Sequence, residues 1–437
     1  MDLTTIGVSG VVALLLLILA GLHIGLVLAL IGGIGVVIII GLQGGLNIIG
    51  SAPFATASVY DFSPVPLFLL MGAFATNGEL GTAAYDAVNK WVGKLHGGLA
   101  IASTFGAAFF GLASGSSLAA TAMFTKIALP EMLKRGYNRE LAIGSIASAG
   151  TFSTMIPPSG LLIIYAIFTE ESIGRLFMAG IFPGIITAIC YVALIYFRVW
   201  RKPELAPKID EDIDLGTKLS SLLQTWPMLL LGVFVLGGIF TGWFTATEAG
   251  GMGALGALLI AIMKKGVRGA RIQNAFMDCM QTTGMIFLIV IGAAIFGRFL
   301  SLSQIPHNLA SSLESADISP LAIMAGIMLM YLILGMFLDA VAILAITIPV
   351  VFPLILNLGY DPIWFGIIIV KISEIGLVTP PVGLNAYVAH AAAEGQVSLA
   401  EVFKGIFPFI SCDIFVLVLL IIFPQISLYL PDLMFNN

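Results

Sequence analysis

Charge is what this sequence has least of. Only 10% of its 437 residues are Asp, Glu, Lys or Arg, 59% are hydrophobic, and the mean hydropathy is +1.07. A soluble domain cannot cover its surface with so few charges, so the chain is read as an integral membrane protein. Cysteine is scarce too. Cys190, Cys279 and Cys412 lie far apart and lack CxxC or metal-ligand spacing, which leaves them as small buried apolar groups. His23, His96, His307 and His390 have no mutual spacing that suggests a metal, and they suit packing or interfacial roles. The first twenty residues lack a basic n-region and a small-residue cleavage site, so residues 5–20 read as a retained helix. The alternating ten-residue pattern of an outer-membrane barrel is missing as well. What recurs instead is apolar stretches long enough to cross a bilayer as helices.

The spacing predicts an all-α polytopic bundle with helices near 5–20, 22–42, 61–78, 140–168, 172–197, 223–240, 246–263, 280–297, 362–392 and 403–430. Two further apolar segments, 99–133 and 319–357, are interrupted by glycine or polar residues. With both read as re-entrant hairpins and the N-terminus outside, sixteen of the nineteen Lys and Arg residues fall on the cytoplasmic side. Only Arg175 and Arg298 fall outside, and Lys371 lies within a helix. Reading either hairpin as a full crossing spoils this positive-inside pattern. The expectation is therefore about ten transmembrane helices plus two hairpins, with 99–133 entering from the cytoplasmic side and 319–357 from the periplasmic side.

A polar stretch at 201–222 divides the chain into 1–200 and 223–437. The two parts repeat each other. "RGYNRELAIGSIASAGTFSTMIPPSG" at 135–160 aligns without a gap to "LGYDPIWFGIIIVKISEIGLVTPPVG" at 358–383, a constant offset of 223 that pairs Pro157 with Pro380, Pro158 with Pro381 and Gly160 with Gly383. The same offset sets Ser116, in "GLASGSSLAATA", on Asp339, in "GMFLDAVAILAI". Five crossings and one hairpin per half turn the second half upside down in the membrane. Inverted repeats with paired broken helices are the architecture of secondary transporters.

Each double proline breaks its helix, 140–168 or 362–392, and removes donors from the carbonyls of the preceding turn. In hydrocarbon such carbonyls need protein, water or a ligand, and hard cations accept carbonyl and hydroxyl oxygens. Half-helix N-termini at the facing hairpin tips offer N–H groups to an anionic solute. Plainer readings exist for every feature. A double proline can be a packing kink, "GLASGSS" a small-residue helix contact, and Asp339 a cap for the second hairpin helix. Lys371 and Glu374, one turn apart, read as a structural ion pair. Glu248 reads as a buried structural carboxylate, and the charge run at 201–221 as a solvated loop.

Together, "SGSSLAATA", "LPEMLKRGYNRELAIGSIASAGTFSTMIPPSGLLIIYA", "GWFTATEAGGMGALGALL", "GMFLDAVAILAITIPVVFPL" and "ISEIGLVTPPVGLNAYV" resemble the large membrane subunit of tripartite ATP-independent periplasmic (TRAP) transporters across essentially the whole chain. The resemblance implies an inverted-repeat ion-transporter fold of the elevator type in the bacterial inner membrane. It implies sodium-driven uptake of a small organic acid anion into the cytoplasm, whether carboxylate, sialic acid or sulfonate. The implied partners are a periplasmic binding protein and a small four-helix membrane subunit, here unfused; nucleic acid is not among them. One implied sodium site comprises Ser114, Gly115, Ser116, Ser117, Thr151, Ser153 and Met155. The second comprises Leu338, Asp339, Glu374, Gly376, Val378 and Thr379. The solute would touch Ser116, Ser117, Ser159, Val382, Gly383 and Asn385. Family members for C4-dicarboxylates and sialic acid read SGSGPAT at the first hairpin, where this chain has Ser117 and Leu118, which leaves room for another small acid. The alternatives are an ion channel and an intramembrane hydrolase. The chain has no GxSG or GxGD for a hydrolase, and hairpins closed at both ends suit alternating access better than a continuous pore.

Overall fold

A computed structural model describes residues 2–207, 214–263, 269–315 and 318–435. Part of the charged loop (208–213) and the basic cluster at 264–268 lie outside the described residues. Among the described residues every regular element is a helix. The first half contains α1 Leu3–Leu19, α2 Ile24–Ala57, α3 Pro64–Asn77, α4 Leu80–Val92, α5 Gly98–Ser114, α6 Ser117–Lys134, α7 Arg139–Phe152, α8 Gly160–Thr169 and α9 Ile173–Arg201. The second contains α10 Leu215–Phe240, α11 Ala246–Met263, α12 Ala270–Leu302, α13 Ile305–Ser315, α14 Pro320–Gly335, α15 Ala340–Asn357, α16 Pro362–Val378, α17 Leu384–Ala392, α18 Leu399–Ile422 and α19 Gln425–Phe435. Among the described residues seven helical stretches are long and apolar enough to cross a membrane.

The repeat recurs in the elements themselves. Adding 223 to the bounds of α6 gives 340 and 357, the bounds of α15, and adding it to the start of α7 gives 362, the start of α16. The local chemistry repeats with it. Ser116 and Asp339 both cap their helices, accepting from Ala119 N at 3.4 Å and Ala342 N at 3.1 Å. Asn138 and Asp361 do the same for α7 and α16, at 3.0 and 2.9 Å. Each such cap contributes about 1 kcal/mol by satisfying a terminal N–H. Gly136 and Gly359 both adopt left-handed φ, 80° and 76°, where the chain leaves α6 and α15, a conformation that disfavours any side chain.

The expected helices are present with altered ends. The helix read at 22–42 continues to Ala57 across a break at Gly41, where φ is 84°, despite the poor helix formers Gly44, Gly45, Gly50 and Pro53 beyond it. The helix read at 403–430 is two, α18 and α19, parted at Pro424. The periodic pattern also missed α4 and α13, short amphipathic helices at matching repeat positions.

The broken helices sit at the centre. Every residue of α16 from Ile363 to Val378 is buried, as is α7 from Leu141 to Phe152. A helix buried on all faces must be surrounded by protein. Around this core α7 packs on α6 and α18, and α16 packs on α14. Glycines permit the closest approaches: a Cβ on Gly144 or Gly405 would overlap the facing backbone of α18 or α7.

Candidate functional site

The first break consists of α7, a 3-10 turn at Ser153–Met155, the Pro157–Pro158 pair and α8. The second runs from α16 through Pro380–Pro381 to α17. Both Pro–Pro bonds are cis. Each hairpin tip meets its own break. A Cβ on Gly115 would lie 2.9 Å from both Gly160 N and Pro158 O, so the first tip touches the first break backbone to backbone. At the second, a Cβ on Gly335 would lie 2.9 Å from Gly376 Cα, and Gly383 N donates to Met336 O at 3.2 Å.

The two halves also interlock. The second helix of the first hairpin, α6, packs against α17 of the second break, and α15 packs against α8 of the first. Four half-helix N-termini, those of α6, α8, α15 and α17, therefore belong to one region. Ser159 caps α8, accepting from Leu162 N at 3.3 Å, and Gly383 precedes α17 with φ of 63°.

The expected loss of carbonyl donors is only partial. Ser153 Oγ donates to Gly150 O at 2.6 Å, Thr154 Oγ1 to Thr151 O at 2.8 Å, and Thr151 Oγ1 to Ser148 O at 2.7 Å. In the second break Thr379 Oγ1 donates to Ile375 O at 2.6 Å. The hydroxyls thus supply part of what the prolines remove. Each carbonyl keeps a second lone pair for a cation. Met155 is fully buried, with its carbonyl against Gly180 of α9. Leu338 and Val378 are buried, and Val382 is half-buried. The Ser114 side chain lies outside the described residues.

The breaks differ in one respect. Pro157 and Pro158 are buried, whereas Pro380 and Pro381 are exposed, so the two sides of the site are not equivalent in this conformation.

Polar atoms without partners collect on these elements. Both amide atoms of Asn385 are buried without a hydrogen bond, as are Thr121 Oγ1, Ser148 Oγ, Ser373 Oγ and Glu374 Oε2. Buried polar groups are almost always satisfied, each orphan costing about 1–3 kcal/mol. These orphans on α6, α7, α16 and α17 mark a place built to receive a polar ligand.

Two expected roles are corrected. Lys371 does not pair with Glu374: its Nζ lies 2.6 Å from Asp413 Oδ1 on α18 and donates to Thr187 Oγ1 on α9 at 3.2 Å. Tyr191 completes the cluster by donating to Asp413 Oδ2 at 2.7 Å. Residues three apart on a helix lean to neighbouring faces, and the face of Lys371 meets α9 and α18. Asp413, missed from the sequence, was signalled by its position as the one acidic residue in the apolar part of α18 beyond its first turn. Glu248 is exposed, not buried. It caps α11 reciprocally with Thr245, accepting from Thr245 N at 2.8 Å while Thr245 Oγ1 accepts from Glu248 N at 3.2 Å.

A family model described as Tripartite ATP-independent periplasmic transporter, DctM component, matches residues 11–426. The C4-dicarboxylate TRAP transporter large permease protein DctM of Pseudomonas aeruginosa is 35% identical, over 87% of this chain and 88% of that protein. The ectoine/5-hydroxyectoine TRAP transporter large permease protein UehC of Ruegeria pomeroyi is 32% identical, over 85% and 86%. The isethionate TRAP transporter permease protein DctMQ of Oleidesulfovibrio alaskensis is 31% identical, over 87% of this chain and 60% of that longer protein. Among solved structures, the YdaH transporter of Alcanivorax borkumensis superposes with a TM-score of 0.62 at 14% identity, over 90% of this chain and 91% of its own, and so shares the fold.

Proposed function

The chain belongs to the DctM family of tripartite ATP-independent periplasmic transporters, and from that premise we propose that it carries a small organic acid into the cytoplasm on a sodium gradient. It is a membrane permease subunit and not an enzyme. The observation that carries the solute reading is Asn385. Its amide is fully buried with no partner, at the start of a half-helix packed on the first hairpin. An amide offers both donors and an acceptor, and the neighbouring helix N-termini favour a carboxylate or sulfonate. Relatives named for C4-dicarboxylate, isethionate and ectoine bracket the solute as a small, polar acid or zwitterion. Hydroxyls and break carbonyls supply oxygen ligands for sodium, which is co-transported cargo.

The partners follow from the tripartite family: a periplasmic binding protein delivers the solute and a small membrane subunit completes the permease. The bacterial inner membrane is where such a complex works. In this reading the hairpins and broken helices move as a block past the remaining helices. The test is uptake by proteoliposomes holding the permease and its small subunit, with the partner binding protein first screened against small organic acids by thermal shift. Uptake should saturate, require the binding protein and collapse without a sodium gradient. Flux that persists without the binding protein would favour a channel instead.

Asp339 gives a sharper expectation. Asp339→Ala removes a carboxylate that caps α15 beside the second break. The half-saturating sodium concentration should rise several-fold, with expression falling less, as a lost cap costs only about 1 kcal/mol. An unchanged sodium curve would leave Asp339 as a cap alone.

Orientation is tested by labelling. Glu204 is exposed after α9, and Asp432 on α19 sits 3.9 Å from Arg175. A cysteine at position 204 should react only from the cytoplasmic side and one at 432 only from outside. Labelling of both from one side would remove the inverted repeat.

A further inference from the structure

Away from the broken helices, an apolar slot of about 630 Å³ opens between α4, α10 and α11. It is lined by Ala83 of α4, by Trp226, Leu230 and Phe234 of α10, and by Gly256 and Leu259 of α11, and no lining residue is charged. The three α10 residues recur every fourth position and so form one wall. Trp226, Leu230 and Leu259 are exposed at its mouth. What enters must be thinner than a helix. Packed helices stand about 8–10 Å apart axis to axis, and a helix with its side chains is about 10–12 Å across. Because α10 already packs on both α4 and α11, the slot between them admits a single hydrocarbon chain but not a further helix.

The depth of the slot matches one leaflet. From Trp226 to Phe234 the helix rises about 12 Å, and half the hydrocarbon core of a bilayer is about 15 Å. Beyond Trp226 the chemistry changes. Lys218 lies two turns earlier on α10, and Trp91 Nε1 donates to Lys218 O at 3.2 Å, which brings the end of α4, with Lys90, to the same level. Trp91 and Trp226 are both exposed, as tryptophans at a membrane–water boundary are. Lys90 and Lys218 are half-buried, and neither joins an ion pair among the described residues. Lys90, Lys94 and Lys218 outnumber Asp86 and Asp214 at this end, and Asp214 is occupied in capping α10 through Gly216 N at 3.0 Å.

We propose that the slot holds one acyl chain of a membrane phospholipid whose phosphate is bound by Lys90 and Lys218. The apolar walls lie at the depth of the chain, and the two ammonium groups lie where a headgroup phosphate meets water, within reach of long side chains that keep their charge at the boundary. The place has a consequence for the hairpin. Because α4 packs on α5, the first helix of the first hairpin, and on α10, a lipid here braces the segment leading into that hairpin against the α10–α11 pair. The site depends on the chain spanning a membrane and not on sodium or the transported solute.

The test is an equilibrium titration of the purified, delipidated permease complex with radiolabelled palmitoyl-oleoyl phosphatidylglycerol. One saturable lipid per complex is expected above the unsaturable background. Leu259→Trp, which fills the slot from its exposed wall, should weaken that binding at least tenfold. Lys218→Gln should weaken it several-fold, and it carries the test if the tryptophan variant does not fold. Diacylglycerol with the same chains, lacking the phosphate, should bind at least tenfold more weakly than the phospholipid. Wild-type affinity in both variants would overturn the site, as would equal affinity for diacylglycerol. A lipid that binds the isolated large subunit but is absent from the complex with the small subunit would give the slot to that subunit and overturn the proposal too.

Discussion

Lys371→Met should destabilise the folded bundle by about 3–5 kcal/mol, because it strands a buried carboxylate whose charge was matched by an ammonium 2.6 Å away. The loss is electrostatic more than steric, since methionine nearly fills the volume of the lysine stem. Asp413→Leu alone should cost a similar amount by stranding the ammonium. The double variant should recover most of the loss, because replacing a buried pair with apolar groups is often neutral. Recovery should stay incomplete. Thr187 and Tyr191 would each lose the partner they now have at 3.2 and 2.7 Å, and an orphaned buried hydroxyl costs about 1–3 kcal/mol. Thermal unfolding of the detergent-purified variants measures all three. Equal stability of Lys371→Met and wild type would mean that the pair does not hold α16 to α18.

Tethering the hairpins to the rest of the bundle should abolish uptake. The glycine-rich faces of α2 and α11 suggest a smooth track for the hairpins, but they are spent elsewhere. Gly25, Gly32 and Gly35 of α2 press against α12, and Gly250 and Gly253 of α11 against α3. The helices that meet the hairpins and broken helices are α3, which packs on α5 and α8, and α12, which packs on α15. Between them lies a small apolar cavity lined by Leu69 of α3, Ile286 of α12, Gly115 at the first tip, and Gly160 and Ile163 of α8. The informative pair is Leu69→Cys with Ile163→Cys, after replacement of Cys190, Cys279 and Cys412. A short bifunctional thiosulfonate bridging the pair should stop sodium-driven uptake, and dithiothreitol should restore it. Normal uptake with the bridge formed would show that this interface does not slide.

The local devices were legible because their physics is local. Pro157, Pro158, Pro380 and Pro381 break helices wherever they fall, and Ser116, Asn138, Asp339 and Asp361 cap the turn that follows them. The offset of 223 needed only the chain compared with itself, and it places α6 on α15 to the residue. Composition was enough to call for a membrane-spanning bundle. Neighbours across the bundle were not legible. In water an apolar stripe points to the core, but in lipid a helix is apolar toward both protein and membrane, so periodicity no longer says which face meets which helix. Lys371 was therefore matched to Glu374, its neighbour in sequence, when its partner is Asp413, forty-two positions on. Sequence determined where the double prolines break helices and where the chain repeats, since those depend on the chain compared with itself and on contacts three or four residues long. Tertiary structure decided which buried charges are paired and which glycine faces are covered, since those depend on how helices turn toward one another across tens to hundreds of residues of chain.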